Sequence, residues 1–283
     1  MVRDVATESD SKARMMHEAR LAGRPDPVRI TVIDPVVLDA RQPLTPVPEV
    51  DGVVVQRRSL AFGTASIESR WDDAFAAPGI IAAATRAEAD GADAIVINCM
   101  DDPGLDAARE VVRIPVVAPA LASMHLALCL AGRFSILTTA AEDIPVVREL
   151  VEHHRLERGL ASIRAIGLPV QVLHDDAEAT FARLMEAARA AVVEDGAEAL
   201  IAGCTLLSGA TERLSDELQR AGTRVPVIDP LAAALHLAAT LVRLGISHSS
   251  IGYPTPDAKD IVWPGPGGHF GPARASVTSG TGR

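Results

Sequence analysis

Two cysteines occupy the same position in a phrase that the chain contains twice. Gly91-Ala92-Asp93-Ala94-Ile95-Val96-Ile97-Asn98-Cys99 returns as Gly196-Ala197-Glu198-Ala199-Leu200-Ile201-Ala202-Gly203-Cys204, 105 positions later. Each apolar run reads as a strand buried on both faces, as in a parallel sheet, with a thiol where the strand ends. The carboxyl ends of such strands face the ligand crevice. Two half-molecules set face to face would therefore aim two thiols into one cleft from opposite sides. One thiolate could take a proton from a carbon beside a carbonyl while the opposite thiol delivers one to the other face. A lone free cysteine is ordinarily a small buried apolar residue; a pair at equivalent strand ends calls for a chemical reason. Both precede predicted helices, whose N-terminal N–H groups are expected to lower the thiol pKa and to hold a carboxylate or enolate oxygen. Cys129, inside the apolar stretch 123–131 and without a repeat partner, is expected in the core.

The elements that position these thiols repeat as well. Ile114-Pro115-Val116-Val117-Ala118-Pro119, leading to His125, matches Val225-Pro226-Val227-Ile228-Asp229-Pro230, leading to His236. The strand at 28–33 is echoed by one at 133–138. Symmetry on this scale implies two similar α/β units, since solenoid repeats are much shorter. Further strands are expected near 52–56, 162–168 and 225–228. Helices are expected over 72–89 (with Pro78-Gly79 inside it), from Pro103, and over 143–155, 177–194, 210–220 and 231–244. The link after the first strand holds Pro43, Pro46 and Pro48 and should lack a crossover helix. Residues 1–27 read as a polar extension in which 11–21 have the spacing of a short amphipathic helix covering the edge left open. Residues 28–131, completed by 226–262, form the first unit and 132–225 the second; the Gly/Pro/Ser-rich 263–283 reads as a disordered tail.

Composition bounds the function. The chain has 283 residues, 48% hydrophobic and 23% charged, with a net charge of −10. That excess of acid argues against a nucleic-acid partner, and no apolar run approaches the roughly 20 residues needed to span a bilayer. The polar start carries no signal-peptide core, and three cysteines without a CxxC spacing suit a reducing cytoplasm and offer no zinc site. There is no GxGxxG, P-loop or HExxH phrase. The expectation is a cytoplasmic enzyme with a small-molecule substrate, no metal, no cofactor and no membrane partner, whose apolar helices leave surface for a homo-oligomer. Among the remaining polar residues, Ser66 and Glu68 fall in a glycine-flanked loop suited to substrate contact. Asp101-Asp102 and Asp175-Asp176 suit helix capping, His125 and His236 the core, and His153-His154 the surface.

Ser66-Ile67-Glu68, Gly91-Ala92-Asp93-Ala94, Cys99-Met100-Asp101-Asp102-Pro103-Gly104-Leu105, Thr138-Thr139, Gly203-Cys204 and Val227-Ile228-Asp229-Pro230 together resemble the aspartate/glutamate racemase superfamily, and within it the hydantoin racemase branch, over about residues 28–262. The resemblance implies an α/β fold of two pseudo-symmetric, flavodoxin-like three-layer domains with parallel sheets and the active site in the cleft between them. It implies cofactor-independent racemisation or epimerisation at a carbon α to a carbonyl, on a hydantoin-like or amino-acid-derived substrate, with Cys99 and Cys204 as the base–acid pair. It also implies substrate contacts from Thr138, Thr139, Met100, Thr205 and Leu206, beside Asp34, Pro35, Ser66, Ile67 and Asn98. The chain departs from the branch at Asp34-Pro35-Val36, where an Asn-Pro-Asn phrase is usual. Asp34 instead matches the acid that glutamate racemases keep beside one cysteine. Thr205-Leu206-Leu207 replaces a smaller Ala-Gly-Met, and Leu121 stands where the branch tends to have a glutamate. Relatives on this fold leave a decarboxylase or cis–trans isomerase of a small diacid as the alternative, and a non-catalytic ligand-binding or thiol-sensing protein as a third reading.

Overall fold

The computed structural model describes residues 27–38, 46–257 and 259; the helix expected at 11–21, Pro43 and the tail at 263–283 lie outside the described residues. Two four-stranded parallel sheets are built alike. The first contains β1 (Val28–Asp34), β2 (Val53–Ser59), β3 (Ala94–Ile97) and β4 (Val116–Val117) in the order β2-β1-β3-β4. The second contains β5 (Phe134–Thr138), β6 (Leu160–Ala165), β7 (Ala199–Ala202) and β8 (Val227–Ile228) in the order β6-β5-β7-β8. The central strands β3 and β7 are buried at every residue, which is why they read as unbroken apolar runs.

The repeated phrase builds each cysteine strand in the same way. Gly91 and Gly196 both take positive φ (86° and 69°) just beyond a helix end, a conformation glycine adopts without a Cβ penalty. The acid that follows pins the register. Asp93 accepts a hydrogen bond from the backbone N–H of Arg29 at 2.9 Å, and Glu198 accepts one from Gly132 at 2.8 Å. Ile97 then lies beside Ile33 and Ala202 beside Leu137, so the two thiols follow strands that end at matching heights.

Helices α1 (Arg70–Ala89) and α2 (Leu105–Val111) cover the outer face of the first sheet, packing on Ile33, Ile95 and Ile97. Pro78 sits inside α1 without dividing it. Helix α2 starts after Gly104, not at Pro103. Helices α4 (Ile144–His153), α5 (Ala177–Val193) and α6 (Thr211–Arg220) serve the second sheet. The first sheet has no described counterpart of α4: residues 46–50, with Pro46 and Pro48, carry no helix, as the missing amide donors dictate.

The remaining two helices tie the halves together. Helix α3 (Pro119–Leu130) follows the first sheet yet packs against β5 and β7, while α7 (Pro230–Leu244) follows the second sheet yet packs against β1, β3 and β4. They also pack against each other. One core therefore holds Ile30, Val32 and Val96 from one sheet, Phe134, Ile136 and Ile201 from the other, and Met124, Ala127, Leu235 and Ala238 between them. The strand expected to rejoin the first unit, β8, pairs instead with β7 in the second sheet; only helix α7 crosses. Cys129 is exposed rather than in the core, because it lies on the outward face of α3 with His125, Leu126 and Leu130. Among the described residues, no helix is long and apolar enough to cross a membrane.

Ala127 and Ala238 are both fully buried in this middle layer. Ala238→Leu is expected to lower the unfolding free energy by about 1–3 kcal/mol through overpacking, read as a shift in the denaturant midpoint; an unchanged midpoint would mean the helix pair is not close-packed.

Candidate active site

The ends of β1, β3, β5 and β7 open onto one cavity of about 370 Å³. Cys99 and Cys204 line it from opposite halves. So do Asp34, Pro35, Ser66, Ile67, Asn98, Met100, Thr138, Thr139, Thr205 and Leu206, so the structure brings the two cysteines and the ten expected substrate contacts to one place. Glu68 is not on the wall, although its charge acts on Cys204.

Each thiol is held in an equivalent turn. Cys99 Sγ accepts from the backbone N–H of Asp101, and Cys204 Sγ from that of Leu206, so in both halves the donor is the second residue after the cysteine. Each turn is fastened to the start of one cross-over helix. Asp229 caps α7 by accepting from Ala232 N at 2.9 Å, and it accepts Ser208 Oγ from the Cys204 turn at 3.0 Å. In the first half the corresponding position is Ala118, which has no capping oxygen. Asp102 supplies it from the Cys99 turn, accepting Ala120 N and Leu121 N, both at 2.9 Å. Asp102 does cap a helix, but α3 rather than the α2 that follows it, and holds φ at 48° to do so. His154 Nε2 lies 3.3 Å from the same carboxylate. Its side chain is thus only 8% exposed, against the surface position expected; His153 does face outward. Asp176 caps α5 through Ala179 N, as its sequence position indicates.

Gly203 occupies the position of Asn98 in the second half. A Cβ there would stand 2.7 Å from Leu137 O and Thr138 Cα, so only glycine lets this strand end approach β5. Asn98 instead extends a side chain whose Nδ2 donates to Asp34 Oδ1 at 2.8 Å. Arg57 meets Asp34 with two bonds, Nε to Oδ2 at 2.9 Å and Nη2 to Oδ1 at 2.6 Å. Asp34 is therefore held in a bidentate ion pair beside the cleft. Thr139 Oγ1 donates to Asp143 Oδ2 at 2.7 Å, which turns this threonine to the cleft rim.

The cavity disfavours charge on sulfur. Burial pushes the Cys99 thiol well above its ordinary value, with the Asp101 carboxyl adding to the effect, and pushes Cys204 to about 12. Both thiols are thus protonated in the empty cleft, the reverse of the helix-lowered values expected, since desolvation outweighs the N–H donors. Asp101, a helix-cap candidate by its sequence position, lines the cavity and is pushed to about 8 by burial and by Asp73, Asp143 and Asp102. Asp73 is raised to about 6 by burial and by Asp72. Arg57, Asp143, Gln171 and His174 are wall residues that no sequence motif marked. No group of three or more metal-ligating side chains occurs among the described residues.

The sequence family described as Asp/Glu/Hydantoin racemase matches residues 51–238. The chain is similar to a hydantoin racemase of Rhizobium meliloti, 41% identical over 187 residues covering 66% of this chain and 76% of that protein. It is also similar to a hydantoin racemase of Paenarthrobacter aurescens, 37% identical over 245 residues, covering 83% of this chain and all of that protein. Among solved structures, allantoin racemase from Klebsiella pneumoniae superposes with a TM-score of 0.75 at 31% identity, over 83% of this chain and 96% of that one.

Two outcomes follow from the carboxyl beside the thiols. Because Asp101 becomes anionic only above about pH 8, Asp101→Asn should leave iodoacetamide labelling of Cys99 unchanged near neutrality and accelerate it at higher pH, by about tenfold for each unit the thiol pKa falls. Equal rates at high pH would show that the carboxyl does not face the thiol. The raised folded-state pKa also means that the native protein holds a proton the unfolded chain releases from about pH 4. Asp101 therefore stabilises the fold less as pH rises from about 4 to about 8, and Asp101→Asn should flatten that fall in a denaturation series. A slope unchanged by the substitution would contradict it.

Proposed function

Because the chain belongs to the Asp/Glu/hydantoin racemase family, we propose that it racemises a cyclic ureide of the hydantoin class, with Cys99 and Cys204 as the opposed base and acid and with no cofactor. The observation that carries this reading is the equivalence of the two thiols: same strand end, same N–H donor at the second residue after the cysteine, one cavity between them. Two-base racemisation needs that symmetry, because the forward base is the reverse acid. Charge on Cys204 adds to the causes that raise Cys99, so the pair loses one proton more readily than two. A singly ionised pair is one base facing one acid, the state in which either enantiomer can be turned over. Substrate enters flat between the sulfurs; one thiolate removes the proton at the ring carbon beside the carbonyl, and the opposite thiol returns a proton to the other face. The wall also bears on the substrate's charge. It carries Asp143, and its guanidinium, Arg57, is already committed to Asp34. A small dicarboxylate would enter against that charge, which disfavours the decarboxylase and cis–trans isomerase reading, whereas a neutral ring does not.

Cys99→Ser and Cys204→Ser should each abolish racemisation of a hydantoin in deuterated water. Loss should exceed about a hundredfold, the usual size of a general acid–base contribution. Each enantiomer of the wild-type product should carry solvent deuterium at the stereocentre. Wild-type turnover in either serine variant would overturn the two-thiol mechanism.

A further inference from the structure

The two cysteine turns are fastened unequally. Each is tied to the first turn of a cross-over helix, the Cys204 turn through Ser208 and Asp229 and the Cys99 turn through Asp102. The Cys99 turn has a second tie. His154 Nε2 lies 3.3 Å from Asp102 Oδ2, so an N–H there donates to the carboxylate. This contact crosses between the halves: Asp102 follows β3 of the first sheet, whereas His154 caps the end of α4, which serves the second. Both side chains are nearly sealed, at 8% and 2% exposed. Asp102 also holds φ at 48°, a left-handed conformation that a residue with a Cβ keeps only when its surroundings hold it there. Behind the turn lies a cavity of about 200 Å³, lined by Asp102, Gly104, Leu105, Leu150 and His154 among others. Packing is thin on that side, and there it is His154 that reaches the carboxylate.

We infer that His154 is a positioning residue for Cys99: by holding Asp102 it sets the Cys99 turn, and with it the sulfur, against the half that carries Cys204. The inference rests on the racemase reading and adds to it a residue outside the cleft, since His154 is not on the cleft wall. Proton transfer between sulfur and carbon depends closely on placement, and a misplacement of about 1 Å can cost about a hundredfold in rate. Asp229, the counterpart in the second half, is met by Ser208, Thr211 and Ala232, all from its own half of the chain. Loss of His154 therefore bears on one thiol and spares the other. That inequality separates positioning from a general contribution to the fold.

The test compares His154→Ala with His154→Gln, whose side-chain amide can still donate to Asp102. With a hydantoin as substrate, His154→Ala should lower kcat at least about tenfold and leave KM within about twofold, and His154→Gln should restore kcat to within about threefold of the wild type. Site-resolved iodoacetamide labelling, read without turnover, should show Cys99 alkylated at least about threefold faster in His154→Ala, through local opening of its turn. Cys204 should keep its wild-type rate, which also serves as the control for folding. The third readout is the isotope effect on each enantiomer deuterated at the ring carbon. One enantiomer loses its proton to Cys99 and the other to Cys204. A displaced Cys99 makes its own proton transfer more nearly rate-limiting in both directions. The isotope effect should therefore rise for the first enantiomer and fall for the second, for which Cys99 acts only as the acid. Isotope effects that shift together, both thiols labelled faster in parallel, or a His154→Ala variant with wild-type kcat and labelling would each overturn the inference. Failure of the wild type to racemise any hydantoin overturns instead the racemase reading, and the labelling ratio still decides whether His154 holds the Cys99 turn.

Discussion

Both sheets lean on one pair of helices, and the site exists because neither helix stays with the sheet it follows. α3 leaves the first sheet and packs on the second, and α7 does the reverse. Separating the halves would expose Met124, Ala127, Leu235, Ala238 and the sheet faces they cover, all of them buried. At about 25 cal/mol per Å² of apolar surface, that exchange fixes the distance across the cleft better than any contact at its mouth. The rim contacts are of the weaker kind. Arg70 pairs with Glu149 on exposed surface at 2.6 Å, and Gln171 Nε2 reaches Ser66 Oγ at 3.3 Å; such pairs contribute about 0–1 kcal/mol. The same helices also fasten the chemistry, since their first turns receive Asp102 and the Asp229–Ser208 pair from the two cysteine turns.

The price of that enclosure is paid in ionisation. Both cysteines are half-buried in the cleft, and burial is the largest cause raising each thiol, ahead of any neighbouring carboxylate. The two backbone donors recover only part of the lost hydration. A desolvated base is a strong one once formed, and burial together with charge on Cys204 opposes ionisation of Cys99, which favours the unlike pair that the proposed racemisation requires. A charge on Asp101 would act against both thiols, adding to the effect of burial.

Much of this was legible in the chain because the repeat aligns it with itself. Cys99 with Cys204, Asp93 with Glu198, and Gly91 with Gly196 fall at corresponding positions, and any element that one copy establishes locates its counterpart in the other. The residues that escaped are those whose role depends on a partner remote in sequence. Asp102 looks like a local cap until Ala118, lacking a capping oxygen, turns out to face it. His154 reads as surface because its burial is supplied by a loop 52 positions away. Cys129 reads as core because the outward face of its helix is largely apolar, with His125 its one polar residue, and Arg57 carries no motif because its role comes from pairing with Asp34 on the neighbouring strand. The placement of β8 was missed for a related reason: the chain crosses between halves through its helix, and two residues of strand carry no sign of which sheet they join.

The most direct measurement is a spectroscopic titration of thiolate, by ultraviolet absorbance, in the ligand-free protein with the exposed Cys129 replaced by serine. Two thiols half-buried in one cleft, each raised by burial, should show no thiolate at neutral pH. Ionisation should begin well above the ordinary thiol value of about 8.5, with one equivalent released before the second. A full thiolate at neutral pH, or two independent ionisations at the ordinary value, would show that the cysteines are either activated in advance or open to solvent, and would contradict a pair made unlike by shared burial.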